Sequence, residues 1–535
     1  MTDKPSSKTR EVQLKITFNK WRIIFLVFAI CYLVFLLIDL SKMPLQWDEV
    51  VHLNNGIFLK TGQFTNFINN SFYPPLYDSF TMIFFNTLGI SLVSGRLVSV
   101  VFSILTLWAV FELANDIYGE KTAIISAVLL GIMPGYFWLS RVAMLDVMLV
   151  FFFILSLLFF FRWLKNGKNS MLFLSGLSLG FGLLTKYQIV AAGVVMVVTL
   201  LVFGRHQLRR VFTKFTVLLS ATALVVIPWV VIAFDIYASR FVGQWLYALQ
   251  MGNPGRSMYS DRFPIPIYYF IEMTWPYSNV HPISLFLYIA GLFGVGLLVW
   301  RRQKEDKFLL IWFASIFVFF TIIENKDWRY VLPLFPALAI STAVLMLFTF
   351  SKAQNVWKGN FSANKKILAK LAAGVLIILV IGAVAFSVDD AQSWVVKDQA
   401  EIQLPQATNF AINHDTANQS IMVLCPYNLF SRDMVNFYLW AEGQTKIQTY
   451  QYPELPVDAY TPIFNITEFI GLCKQDNVKY VFTYEYGGIV PYFNTTLTLQ
   501  KVYIQLYASG NFTHISPEQT FGSNPRRILI LNFTG

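Results

Sequence analysis

Apolar runs of about twenty residues recur through the first three quarters of this chain, and they decide what it can fold into. At ~1.5 Å of rise per residue, such a run crosses ~30 Å of hydrocarbon as a helix. No other single-segment form is open to it, because a bilayer core has no water to satisfy stray backbone groups. The runs fall at roughly 21–40, 96–114, 122–139, 147–163, 171–185, 188–204, 212–233, 282–300, 308–323, 331–350 and 367–388, about eleven crossings by length. A further stretch, 75–92, is either a juxtamembrane helix or an extra crossing. With 56% hydrophobic residues, 51 Phe and a mean hydropathy of +0.54, composition excludes a soluble globule.

The net charge of +11 does not point to nucleic acid, because the Lys and Arg lie between apolar runs. They follow the positive-inside pattern instead. The N-terminus (Lys4, Lys8, Arg10, Lys15, Lys20, Arg22) reads as a retained signal anchor with its start in the cytosol. On that topology the cytosolic connections collect Lys121, the 162–168 and 205–214 clusters, 301–307 and 352–366. The sequons at Asn69, Asn418, Asn465, Asn494, Asn511 and Asn532 fall outside, and only Asn360 falls inside.

After about residue 388 the apolar segments shorten to strand length, as in Ile421–Cys425, Val478–Tyr484 and Arg527–Asn532, with helix-like segments at 431–440 and 467–476 between them. We therefore expect a polytopic α-helical membrane domain over 1–388 and an extracytoplasmic α/β domain over 389–535. The domain would face the cell exterior or the ER lumen. Of three cysteines, Cys31 lies in the first run, while Cys425 and Cys473 would share the outer domain and form one disulfide if geometry allows.

Within this frame Asp48-Glu49 stands out. Two adjacent carboxylates where a chain leaves the bilayer are costly and do nothing for packing, so they point to chemistry. The same face collects His52, Tyr73-Pro-Pro, Ser140 to Asp146 with Arg141, Lys186, the loop with Arg256 and Arg262, and Glu324 to Tyr330. Cations there suit a phosphate and the charge that builds on it as it leaves. A carboxylate suits deprotonation of an acceptor. Simpler roles compete: Asp146 fits a helix N-cap, Lys186 a snorkelling side chain and Arg329 an aromatic belt. His52 shares a helical face with Asp48 and Glu49, so a divalent metal fits there, but no third ligand type is evident nearby.

The order Trp47-Asp-Glu49, Tyr73-Pro-Pro-Leu76, Arg96, Arg141…Asp146, Gly182-Leu-Leu-Thr-Lys186 and Arg329-Tyr330…Pro333…Pro336 resembles the polyprenyl-phosphate-dependent glycosyltransferases of the GT-C superfamily. Within it the chain is most similar to the protein O-mannosyltransferases and the lipid A aminoarabinose transferases, over roughly residues 20–345. The resemblance implies inverting transfer of a sugar, mannose first, from a dolichyl- or other polyprenyl-phosphate to a protein, lipid or glycan acceptor. It implies Asp48 as base, with Glu49 and Asp146 as further acidic site residues. Lys186, Arg329, Tyr330, Arg141 and Arg96 would serve the donor phosphate. His52, Tyr73, Arg256 and Arg262 would serve the acceptor or a closing loop. No cofactor is required by the motif, although a divalent metal is compatible with it. Tyr73 stands where some relatives carry His, and His52 where an aromatic residue often follows the acidic pair. The rival classes are a lipid-sugar flippase or transporter, and a catalytically silent binding partner. The absence of a visible repeat counts against transport.

Overall fold

The computed structural model describes residues 20–70, 73–203, 208–237, 263–275, 281–323, 326–358, 362–396, 403–414, 419–427, 429–454, 464–484, 497–515, 520–521 and 527–535. Arg256 and Arg262 lie outside these residues, as do the basic residues before Lys20 and the sequons at Asn360, Asn418 and Asn494.

Each apolar run folds as helix. In chain order these are α1 (Lys20–Leu37), α2 (Trp47–Lys60), α3 (Phe64–Asn70), α4 (Leu76–Leu88), α5 (Leu92–Tyr118), α6 (Glu120–Gly131), α7 (Pro134–Leu139), α8 (Asp146–Asn166), α9 (Asn169–Leu183), α10 (Val190–Phe203) and α11 (Leu208–Tyr237). They continue with α12 (Tyr268–Glu272), α13 (Leu285–Arg301), α14 (Lys304–Ile322), α15 (Leu334–Lys358) and α16 (Ala363–Val396). Among the described residues, six helices are long and apolar enough to cross a membrane unaided: α1, α5, α8, most of α11, α15 and most of α16. The segments Asn169–Leu183, Tyr187–Phe203 and Leu285–Arg301 are apolar but shorter, so length alone gives fewer crossings than the eleven expected.

Two expectations resolve here. The run 122–139 is not one helix: it breaks at Ile132-Met133, because Pro134 starts α7 and cannot continue the hydrogen-bond ladder of α6. The stretch 75–92 becomes α4, whose 13 residues span only about 20 Å. That is shorter than the ~30 Å of hydrocarbon a crossing needs, which favours the juxtamembrane alternative.

The centre of the bundle is α5 and α8, most of whose apolar residues are buried. The Phe-rich stretch of α8 is core, with Phe153 against Trp312 of α14 and Phe161 against Phe308. By contrast α1, α11 and α16 turn Ile23, Val34, Leu224, Val231, Leu371 and Ile378 outward. An apolar surface on that scale is a lipid-facing one. Helices α9 and α11 approach closely through Gly176 and Gly180, where a Cβ would meet the Leu218 carbonyl and Val225.

The C-terminal part is an α/β unit built on a six-stranded sheet. Its strands are β1 (Ser420–Leu424), β2 (Gln448–Tyr452), β3 (Val478–Tyr484), β4 (Phe512–His514), β5 (Thr520–Phe521) and β6 (Ile528–Phe533). The order is β2-β1-β3-β6-β4, with β5 also on β6. Pairing is parallel across β2-β1-β3 and antiparallel from β3 to β6 and β6 to β4. The helices α17 (Leu404–Asn413), α18 (Arg432–Ala441), α19 (Ile466–Gln475) and α20 (Leu499–Ala508) accompany it. The final bundle helix runs on to Val396, past the boundary at 388 expected from composition. Cys425 and Cys473 are buried free thiols, on the turn after β1 and on α19, so the disulfide between them is absent.

Helix α2 joins the two parts. Phe58 packs edge-on against Trp440 of α18, the Asn54 amide donates to the Asp433 carbonyl, and Leu45, Val50, Leu53 and Ile57 belong to the same buried cluster as β1, β3 and β6.

We predict that Gly176→Ala weakens the bundle by about 1–3 kcal/mol, because the methyl must displace the backbone of α11. Gly193→Ala, inside α10 where the methyl meets nothing within 4 Å, should instead hold stability or raise it by up to about 1 kcal/mol. Thermal melting of the detergent-purified proteins measures both.

Candidate active site

Asp48 occupies the first turn of α2, where the positive end of the helix dipole favours a carboxylate. Its neighbour Glu49 is turned the other way. Glu49 closes a capping box with Gln46 and is fully buried. Its Oε1 accepts from Arg96 Nε at 2.7 Å and from the Ala143 N–H at 2.7 Å. Its Oε2 accepts from Arg96 Nη2 at 2.8 Å and from the Gln46 N–H at 3.2 Å. Arg96, on α5, gives its remaining hydrogens to the carbonyls of Leu40, Met43 and Pro44 at 2.7, 2.9 and 3.1 Å. A guanidinium has five N–H donors, and all five are used.

Two expectations are corrected by this. Arg96 has no donor left for a phosphate, and Glu49 has no lone pair turned to the site. Together they lock the 40–46 connection that sets where Asp48 projects. Arg141 is corrected too, by position rather than capacity. It is buried, its Nη1 and Nη2 donate to the carbonyls of Phe35 and Ile38 at 3.0 and 2.5 Å at the C-terminal end of α1, and its Nε makes no hydrogen bond among the described residues. His52 also differs from expectation. It is 5% exposed, and its Nδ1–H donates to Asp78 Oδ1 of α4 at 2.8 Å. Asn55 donates to the other oxygen of Asp78 at 2.8 Å. Asp48, Glu49 and His52 therefore do not converge on a metal, and among the described residues no cluster of three or more His, Cys, Asp or Glu does. The His52 ring instead backs Tyr73, with centroids 5.7 Å apart.

Asp48, Asp146, Lys186, Arg329, Tyr330 and Tyr73 do come together. Asp48 is 54% exposed, and its Oδ2 accepts from Arg329 Nη1 at 2.8 Å. Arg329 sits in the 3-10 turn Trp328–Val331. It is steadied by Asp327, whose Oδ2 accepts from Nε at 2.9 Å and Nη2 at 2.8 Å. Asp146 opens α8, is 2% exposed, and accepts from Lys186 Nζ at 2.8 Å. Lys186 follows α9 and lies 5.6 Å from the Tyr330 ring centre. The Tyr73 segment is tied to the Lys186 segment where the Leu76 N–H donates to the Leu184 carbonyl at 3.0 Å.

Charges shape this cluster. The surrounding protein strips some water from Asp48 and works against its ionisation, but the Arg329 guanidinium, with His52 and Lys186 behind it, outweighs this and holds the carboxyl below its ordinary range. Burial, reinforced by Asp48, pushes the Tyr73 phenol well up, and burial with Asp327 does the same to Tyr330. Both stay neutral hydroxyls. The site thus offers one exposed carboxylate, two cations each held by a carboxylate, and two neutral phenols. Sequence reasoning missed Asp78 and passed over Asp327. A lone carboxylate in the otherwise apolar stretch 75–92 was the signal for the first.

Known proteins resemble this chain in sequence and in fold. Residues 73–232 match the family model described as dolichyl-phosphate-mannose-protein mannosyltransferase. An undecaprenyl phosphate-alpha-4-amino-4-deoxy-L-arabinose arabinosyl transferase of Erwinia tasmaniensis is 28% identical over 298 residues, 52% of this chain and 50% of that one. An uncharacterised protein of Aquifex aeolicus is 26% identical over 296 residues, 53% of this chain and 56% of that one. The chain thus spans about half the length of these curated relatives. Among solved structures, ArnT from Cupriavidus metallidurans bound to undecaprenyl phosphate superposes with a TM-score of 0.59 at 15% identity, covering 96% of this chain and 98% of that one. The archaeal oligosaccharyltransferase AglB from Archaeoglobus fulgidus, in complex with an inhibitory peptide and a dolichol-phosphate, gives 0.56 at 13% identity, covering 86% and 69%. The shared fold makes the chain an integral membrane protein.

Glu49→Gln leaves the Arg96 charge buried and uncompensated, and we expect it to destabilise the protein by about 3–5 kcal/mol. Asp48→Asn, at a half-exposed position, should melt within a few degrees of wild type. Scanning fluorimetry of the two purified variants separates the strut from the site residue.

Proposed function

We propose that the chain is a glycosyltransferase of the GT-C type that moves a sugar from a polyprenyl-phosphate donor to an acceptor at the membrane surface, with inversion; the family-model match and the shared fold support this reading. The observation that carries this reading is the Asp48–Arg329 pair at 2.8 Å, half-exposed and beside the Asp146–Lys186 pair. A base for the acceptor and cations for a phosphate lie side by side, as such a transfer needs.

In this reading Asp48 takes the proton of an acceptor hydroxyl or amine. The acceptor atom attacks the anomeric carbon, the bond from that carbon to the phosphate oxygen breaks, and the lipid phosphate leaves with the electron pair. Arg329 and Lys186 meet the charge that builds on it. Tyr73 and Tyr330, as neutral phenols, donate hydrogen bonds at the same place. The prenyl tail lies among the bundle helices. An apolar cavity of ≈ 600 Å³ between α6, α13, α15 and α16, lined by Phe286, Phe293, Thr342 and Leu379, has the character such a tail needs. No nucleotide sugar enters the scheme. The site end of the bundle and the C-terminal α/β unit face away from the cytosol, with the chain's start on the cytosolic side. The ionisable site residues gather at one end rather than at mid-membrane, which favours transfer over transport. Mannose is the first sugar to test, since the matched family is of dolichyl-phosphate-mannose enzymes, and 4-amino-4-deoxy-L-arabinose the second. Protein, lipid and glycan acceptors belong in the panel.

The test is transfer of radiolabelled sugar from a panel of polyprenyl-phosphate donors to membrane extracts. Wild type should consume donor and label an acceptor, and Asp48→Asn should lose about 10²–10⁴-fold. Transfer that survives Asp48→Asn assigns the base elsewhere, and no transfer from any donor removes the reading.

A pH profile tests the electrostatics. The Asp48 carboxyl is depressed, so the base stays ionised until pH falls below the ordinary carboxylate range. Removing the counter-charge raises that carboxyl. Arg329→Gln should therefore shift the acid limb of kcat/KM toward higher pH, and Arg329→Lys should shift it less.

A further inference from the structure

Asp327 has no part in the chemistry just described, yet among the described residues it makes more hydrogen bonds to the Arg329 side chain than Asp48 does. Its Oδ2 accepts from Nε and Nη2 at 2.9 and 2.8 Å, and its Oδ1 accepts from the Arg329 backbone N–H at 2.8 Å. The same carboxylate caps the 3-10 turn that carries Arg329. Exposure rises along the row, from 13% for Asp327 through 24% for Arg329 to 54% for Asp48. The guanidinium is thus clamped along its inner edge, and its outer corner, Nη1, reaches the half-open mouth where Asp48 accepts from it.

We propose that Asp327 is a positioning residue, holding the Arg329 guanidinium so that its Nη1 corner is shared in turn between Asp48 and the phosphate of the lipid donor, whose arrival thereby releases the base. This rests on the donor reading above. A planar guanidinium bound along one edge by a carboxylate keeps its orientation while the other end changes partner. While Nη1 is on Asp48, protonating that carboxylate would break an ion pair, so Asp48 is a poor proton acceptor. A phosphodiester brings one negative charge and strong acceptor oxygens to the same corner. Once Nη1 turns to it, Asp48 loses its partner and becomes the stronger base when an anomeric carbon is in place to be attacked. No bond is made or broken in this exchange beyond the hydrogen bond that changes hands. Lys186, held by Asp146 at 2.8 Å, offers the phosphate a second cation at the same face. Without Asp327 the guanidinium would be free to lie across both oxygens of Asp48, and the exchange would be lost.

Competition for one donor makes a specific binding prediction. Undecaprenyl phosphate is titrated into the full-length protein in nanodiscs, without acceptor, and its affinity is measured by calorimetry. Asp48→Asn should tighten binding by about tenfold, because it frees Nη1. That gain should vanish in an Arg329→Gln background and shrink in Asp327→Asn. Asp327→Glu, which keeps the charge but moves it by a methylene, gives the same reading if Asp327→Asn does not fold. A purely structural Asp327 would lower the melting temperature and leave the Asp48→Asn gain intact, which overturns the proposal. Equal tightening in every background would be simple loss of repulsion, and no tightening would mean no competition; either overturns it as well. Binding by none of the proteins, wild type included, instead removes the lipid-phosphate reading on which it rests.

Discussion

The buried Arg96–Glu49 pair is the interaction on which the rest of the site end depends. It joins the start of α5, the core helix of the bundle, to the first turn of α2 and to every carbonyl that matters in the 40–44 connection. An ion pair taken out of water repays its desolvation only when nearly all its hydrogen-bonding capacity is used. Here the guanidinium uses all of it and the carboxylate accepts four times. Such a network tolerates one geometry, and the consequence is a fixed direction for Asp48, one residue before Glu49 and on the other side of the chain.

A second lock works on the far side of α2. His52 and Asn55 share the Asp78 carboxylate of α4, and Phe58 and Asn54 reach α18 of the C-terminal unit. Helix α2 is thus held by the bundle, by α4 and by the sheet-bearing domain at once. The residue it presents, Asp48, is half-exposed while nearly everything around it is pinned. Rigid support with one open carboxylate is what a positioned base requires. The two cations are treated alike, each kept in place by a carboxylate (Asp327 for Arg329, Asp146 for Lys186), so both are paired before any phosphate arrives.

The membrane class, the helical runs and the α/β character of the end of the chain were legible in the sequence, because each rests on local pattern. Twenty apolar residues have one outcome in lipid, and short apolar runs alternating with amphipathic segments have few. Strand β2 escaped because Gln448-Thr-Tyr-Gln-Tyr452 is a polar edge strand with no apolar run to mark it. The convergence of Asp48, Asp146, Lys186 and Arg329 was legible too, since topology places their loops on one face. The division of labour within that face was not. Asp48 and Glu49 are adjacent carboxylates with the same intrinsic chemistry, and nothing local says which one is open. Arg96, Arg141 and Arg329 look equally fit for phosphate until their partners are known.

What the sequence determined by itself was therefore the material and its placement: helices for lipid, a mixed sheet beyond them, and a set of acids and bases at one end. Tertiary structure alone decided which of those charges are used up. Arg96 was spent on Glu49 and three carbonyls, Arg141 was drawn to the end of α1, and His52 to Asp78, leaving Asp48 and Arg329 at the opening with Lys186 buried against Asp146 beside them. The physical reason is that hydrogen-bond capacity is finite and directional. A side chain's chemistry is written in its residue type, but whether it remains available depends on partners distant in sequence, and only the packed fold brings those partners within 3 Å.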